Sequence, residues 1–167
     1  MTDVTTVMTA NRSAVDEFIT AAEKTGSAWS VPRAPGKWSP AQLVEHVSRS
    51  IEESANEVVG APSKFPTLPT FLRPLLRGLF FKRVLRKRAF PRAKTQGAFN
   101  PASGPATPAD GRRRVEDALK RFDQACRAQA AKGPGMSSTL FGQVSIVDYA
   151  TFQEIHTRHH RKQLPAL

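Results

Sequence analysis

Cysteine is nearly missing from this 167-residue chain: Cys126 stands alone, so no intrachain disulfide can form. A lone thiol suits a reducing compartment, and a cytoplasmic location is the expectation. Cys126 falls inside a helical pattern, where packing as a small buried residue is the better reading than reactivity. Long hydrophobic runs are lacking too. No stretch approaches the ~18 apolar residues of a membrane span. The N-terminal MTDVTTVMTANRSAVDEF carries an early acid and no apolar core of the secretory kind. Strand signals are almost absent, which sets the expected strand content near zero. Internal repeats and phosphate-binding glycine loops are absent as well.

Acidic residues vanish between Glu57 and Asp110. Across that gap lie Lys64, Arg73, Arg77, Lys82, Arg83, Arg86, Lys87, Arg88, Arg92 and Lys94. These are ten of the 25 Lys and Arg residues, and the remaining 15 nearly balance the 14 acids. The net charge of +11 therefore belongs to one segment and not to the whole protein. Phenylalanines and leucines are interleaved with it. Three readings follow: phosphate neutralisation on a nucleic acid, docking of a short amphipathic helix on an anionic membrane, or a cover whose leucines face the protein and whose arginines face water. No base-reading motif occurs, so the cover is preferred, with weak non-specific polyanion binding at most.

What is present is helical periodicity. A first helix is expected over roughly 8–25, with Val15, Phe18, Ile19 and Ala22 inward and Gly26 as its stop. The second has the strongest start signal: Ser39 as N-cap, Pro40 at the first helical position and Gln42 three residues after the cap. Its inner face is Leu43, Val47, Ile51 and Val58, and His46 lies on that face. A third helix starts at Thr107 and Pro108, with Asp110 in the first turn and Val115, Leu119 and Phe122 inward. A fourth starts at Ser145, buries Tyr149, Phe152 and Ile155, and stops at Pro165. Residues 61–106 form the basic insert, with a short helix around Leu72, Leu75, Leu76, Leu79 and Phe80, then a loop from 92 on. The length suits one domain over 1–167, and the fold class expected is all-α, a four-helix bundle with this insert between helices two and three.

The four histidines are concentrated in two places: His46 in AQLVEHVSRS, and His156, His159 and His160 in EIHTRHHRKQLPAL. On a helix, His156 and His160 stack on one face. With His46 from a facing helix they make a three-imidazole set able to hold one divalent ion, zinc, nickel or iron, with a coordination position left open. The alternative is a chance HxxxH on a solvent face and a hydrogen-bonded core histidine. His159 is turned ~100° from His160 and reads as supporting or solvent-facing. Gln163 lies two turns after His156 and can orient a ligand or meet substrate. Arg158, Arg161 and Lys162 either attract an anionic substrate or form a solvated helix end. Asp16, Glu17 and Glu53 can approach the histidines, although exposed helix charge explains them as well. No general base stands out.

KWSPAQLVEH, HTRHHRKQLP and the longer STLFGQVSIVDYATFQEIHTRHHRKQLP resemble the DinB/YfiT-like family at both ends of the chain. The resemblance implies a bundle of up-down-down-up order with a long crossover after its second helix. It also implies metal ligation by His46, His156 and His160. Characterised relatives include transferases and isomerases that use small thiols such as mycothiol or bacillithiol. The expectation is therefore a metal-dependent enzyme, a thiol S-transferase acting on a small electrophile or else a hydrolase, with a small-molecule substrate, a low-molecular-weight thiol partner and a homodimer as an open assembly. The alternative is a non-catalytic, metal-stabilised helical module that binds nucleic acid or anionic membrane through residues 64–94.

Overall fold

A computed structural model describes residues 3–91, 95 and 97–165; Arg92 and Lys94 lie outside these. The described chain is mostly helical. Four long helices carry the core: α1 (Val4–Glu23), α2 (Pro40–Val58), α5 (Pro108–Lys132) and α6 (Ile146–Arg161). α2 packs chiefly on α5, and α1 on α6 and α5. Phe18, Ile19, Val44, Val47, Ile51, Val115 and Phe122 fill the space between them, each almost without solvent contact. Asn11 is buried among these residues because its amide donates to the Val7 and Ala150 carbonyls, both at 2.9 Å, which ties α1 to α6. No helix among the described residues is long and apolar enough to cross a membrane.

The helix starts follow local side-chain chemistry. Ser39 Oγ accepts from the Gln42 N–H while Gln42 Oε1 accepts from the Ser39 N–H, a closed capping box. Thr107 and Ser145 cap α5 and α6 through the N–H groups of Asp110 and Asp148. α1 starts earlier than the periodicity suggests, at Val4 and not at 8, because the Asp3 carboxylate accepts from the Thr6 N–H at 2.7 Å and supplies a cap there.

Two expectations need correction. Strand content is not near zero: β1 (Gly135–Ser138) and β2 (Gly142–Ser145) pair antiparallel, Gly135 opposite Ser145. Met136 and Val144, a facing pair, bury their side chains. Phe152 is only partly buried, because it lies at the edge of a ring cluster with Phe81 at 5.0 Å, Phe90 at 4.8 Å and Phe141 at 5.4 Å.

The insert forms one continuous helical stretch: α3 (Arg73–Leu76), a π turn over Arg77–Phe81, then α4 (Lys82–Lys87). It covers the core with Phe81 and, more loosely, with Leu76, Phe80 and Leu85, and its Val84 is buried as well. The leucines do not all face inward, as a simple cover requires. Leu75 and Leu79 are 58% and 67% exposed, and Phe71 is 78% exposed. Lys82, Arg83, Arg86 and Lys87 are exposed as well. At Arg88 the backbone turns left-handed (φ 50) and the helix stops. That uncommon conformation is held from outside the turn, because the Arg88 guanidinium donates to the buried Glu154 carboxylate at 2.6 Å.

The second half of the insert is tied across α2. Gln42 Nε2 donates to the Pro101 carbonyl at 3.1 Å, Arg49 to Ala98 O at 3.1 Å, and Trp29 Nε1 to Pro105 O at 2.8 Å. Gly104 passes so close to α2 that a Cβ there would stand 2.0 Å from the Ala41 carbonyl oxygen. These ties fix the chain path that reaches the histidines.

Candidate metal centre

His46 projects from the middle of α2 and His156 and His160 from the last two turns of α6. The α6 pair stacks because residues four apart share a helix face. Nε2 of His156 is 3.4 Å from Nε2 of His46 and 3.1 Å from Nε2 of His160. Ligand atoms of all three lie within 4.8 Å of one another. Tetrahedral zinc with Zn–N distances of ~2.0–2.1 Å separates its nitrogens by about 3.3 Å, and the two measured spacings bracket that value. His46 and His160 are buried and His156 partly so.

The far sides of the rings set which nitrogen is free. Nδ1 of His46 sits 2.7 Å from the Phe99 carbonyl oxygen. A carbonyl only accepts, so Nδ1 carries the proton and Nε2 presents its lone pair to the centre. Gln163 Oε1 stands 3.4 Å from His160 Nδ1 and favours the same tautomer there. A backbone carbonyl or amide behind a ligating imidazole is the usual support of a metal site. Nδ1 of His156 is buried and has no hydrogen-bond partner among the described residues; the Phe90 ring lies against that side chain, centroids 5.3 Å apart.

Electrostatics agree with a neutral, ligand-ready set. Burial pushes the His46 pKa below 6.5 despite the opposing Phe99 bond. Burial and the neighbouring His160 and His46 hold His156 well below its ordinary value. His160 is lowered to about 3, again by burial first and then by His46 and His159. Metal ligands must be deprotonated, and all three are so at neutral pH. The residues present thus fit one divalent cation.

The centre faces a cleft of about 1020 Å³. Trp38, Phe80 and Phe90 form its apolar walls, and Arg33, Lys37 and Lys162 give it positive charge. No carboxylate is among its lining residues. Trp38 went unassigned in the sequence, yet its ring packs 4.8 Å from His46 and 6.3 Å from His160. Its position just before the Ser39 cap, five residues ahead of Leu43, is the staple position of a capped helix, and Leu43 lines the cleft as well. That pattern was the available signal. Phe99 offered none, because it acts through its backbone.

The other expected residues divide. His159 and Gln163 line the cleft, and the Gln163 amide is 3.5 Å from His159 Nε2. Arg158 does not line it: its guanidinium is bound to Glu154 and, at 2.7 Å, to Glu17. Glu17 is thereby engaged away from the centre. Asp16 faces Arg112 at 3.4 Å, and Glu53 accepts from the Lys64 N–H at 2.9 Å. Glu45 holds Arg49 and Arg114. None of these acids reaches the histidines. Cys126 is fully buried, with its thiol pushed up to about 12 by burial.

No curated protein and no solved structure matches this chain. A family model does match, over residues 6–166, and it spans both halves of the histidine centre. The chain belongs to that family, described as "Protein of unknown function (DUF1569)".

Proposed function

We propose that this protein is a metal-dependent enzyme of the thiol S-transferase kind, in which His46, His156 and His160 hold one divalent ion and a low-molecular-weight thiol attacks a small electrophile. On this reading the four long helices form an up-down-down-up bundle of the DinB/YfiT type, with residues 61–106 as its crossover. The observation that carries the reading is the convergence of three Nε2 atoms at 3.1 and 3.4 Å with the His46 tautomer locked by the Phe99 carbonyl. When bound, such an ion supplies Lewis acidity and lowers the pKa of a coordinated thiol or water. The chain's own residues do the rest. Arg33, Lys37 and Lys162 attract an anionic thiol, and the acid-free lining gives it no repulsion. Trp38 and Phe90 narrow the cleft and exclude water beside the imidazoles. Gln163 steadies His160.

Elemental analysis of protein expressed with zinc, nickel and iron in the medium tests the centre. About one ion per chain is expected in the wild type and in His159→Ala, with most of it lost in His46→Ala, His156→Ala and His160→Ala. Equal metal content in wild type and His46→Ala refutes the site. Consumption of a small thiol by an alkylating electrophile, dependent on the added metal, tests the activity.

A second reading is favoured by one observation, the outward row of Phe71, Leu75 and Leu79 beside Lys82, Arg83, Arg86 and Lys87. Apolar side chains next to an uncompensated cationic cluster suit the surface of an anionic membrane. On that reading the histidine centre is structural.

A further inference from the structure

Against His156, and one turn along α2 from His46 at Ser50, lies a second and smaller cavity of about 180 Å³. Phe80, Phe90 and His156 wall both it and the cleft, so they stand between the two. Its other walls are rings and a leucine, Phe65, Leu140, Phe141 and Phe152, together with the polar side chains of Ser50, Ser54, Glu57, Tyr149 and Gln153.

Gln153 is only 4% exposed. Its Oε1 accepts from Ser54 Oγ at 3.2 Å, but its Nε2 is buried with no hydrogen-bond partner among the described residues. The hydroxyls nearest it are turned to another partner. Tyr149 Oη donates to Glu57 at 2.6 Å, and Ser138 Oγ donates to the same carboxylate. A buried amide hydrogen left unmade is rare in folded proteins, and a ligand acceptor is one way to satisfy it. Apolar cavities of ~150 Å³ take one benzene ring, so this one holds a six-membered ring with a small substituent.

We infer that this inner cavity is the subsite for the apolar part of the substrate, a small aryl or branched-alkyl group whose hydrogen-bond acceptor, such as a carbonyl oxygen, is met by Gln153 Nε2. The assignment to a substrate rests on the proposed reaction in the cleft. The binding itself does not. A molecule seated here presents its far end past Phe90 and His156 to the three imidazoles, with an anionic thiol held from the opposite side by the cleft's cations. The substrate class is then a small aromatic or branched-chain ketone with a leaving group such as halide on its α-carbon. The carbonyl oxygen stays on Gln153, the thiolate sulfur bonds the α-carbon at the mouth of the cavity, and the halide departs into the cleft with the electron pair of the broken C–X bond.

Two probes of the same shape separate shape from hydrogen bonding: acetophenone, which has an acceptor oxygen, and α-methylstyrene, in which a methylene replaces it. Binding to the full-length protein is read by ligand-observed NMR and titration calorimetry. Wild type is expected to bind both saturably, acetophenone about 3- to 10-fold more tightly, the range expected for one net hydrogen bond. Gln153→Leu should erase that preference and keep α-methylstyrene binding, with Gln153→Met as a second variant should the first fail to fold. His46→Ala should still bind acetophenone, so loss of the metal centre and loss of the subsite are read separately. No saturable binding of either probe to wild type overturns the inference and makes the cavity a place for water. An acetophenone preference that survives both Gln153 variants overturns the role of the amide.

Discussion

Acid should destabilise the metal-free protein through its buried histidines between pH 7 and 5. In the fold His160 keeps its pKa at about 3 against an ordinary 6.5, because it is buried and faces His46 and His159. The unfolded chain takes up that proton as the pH falls below 6.5, and the folded chain refuses it until about 3. Stability contributed by this group is therefore full above 6.5 and declines as the pH drops through the interval towards 3. One proton is worth about 1.4 kcal/mol per pH unit, so His160 alone removes about 2 kcal/mol between pH 6.5 and 5. The pKa values of His46 and His156 are also lowered by burial, and they add loss in the same direction. Carboxylates with lowered pKa, such as Glu17 and Glu23, act only below 4.5 and leave this window clear. The assay is urea unfolding of chelator-treated protein at pH 7, 6 and 5, compared with His160→Asn. Wild type should lose stability steeply over this range. The variant should lose it less steeply, by about one proton's worth. A flat profile from pH 7 to 5, or equal slopes in the two proteins, refutes the burial argument for the histidine centre.

Glu57 accepts only from donors, the Ser138 and Tyr149 hydroxyls and the Thr139 N–H and hydroxyl, so Glu57→Gln turns an amide NH₂ against them; a loss of about 2–4 kcal/mol is expected in thermal or urea unfolding, and an unchanged midpoint would contradict it. Replacing Lys82, Arg83, Arg86 and Lys87 together by Gln should leave metal content unchanged, since none of them lines the cleft. If the second reading holds, the same variant loses salt-sensitive binding to phosphatidylserine vesicles that wild type shows; tight sequence-selective nucleic-acid binding by wild type would refute both readings of this segment. Arg88 is left out of that variant because it holds the buried Glu154.

Much of this arrangement was legible because it is local. Ser39, Thr107 and Ser145 each bond an N–H a few residues away, so the sequence next to each cap already contains both partners. The i, i+4 spacing that stacks His156 on His160 is of the same kind. The hairpin was not legible: its strands, GMSS and GQVS, are four residues each and lack β-branched runs, and their pairing is decided by burial of Met136 and Val144. In the insert, periodicity marked a leucine row but not which row meets the core. Leu76 and Phe80 turn inward, Leu75 and Leu79 outward, with a π turn shifting the register between them. Neither reading of Arg158, attracting a substrate or forming a solvated helix end, used Glu154 four residues before it, which offers an ion pair on the same helix.

The bond from His46 to the Phe99 carbonyl has a consequence for comparing sequences. It asks nothing of the side chain at position 99, since any residue on the same chain path offers the same oxygen. What must persist instead is the path, set by contacts such as Gly104 against Ala41 and Gln42 on Pro101. Relatives with the same centre can therefore differ at position 99 itself. Their shared requirement should appear at 42 and 104, residues that never touch the three imidazoles.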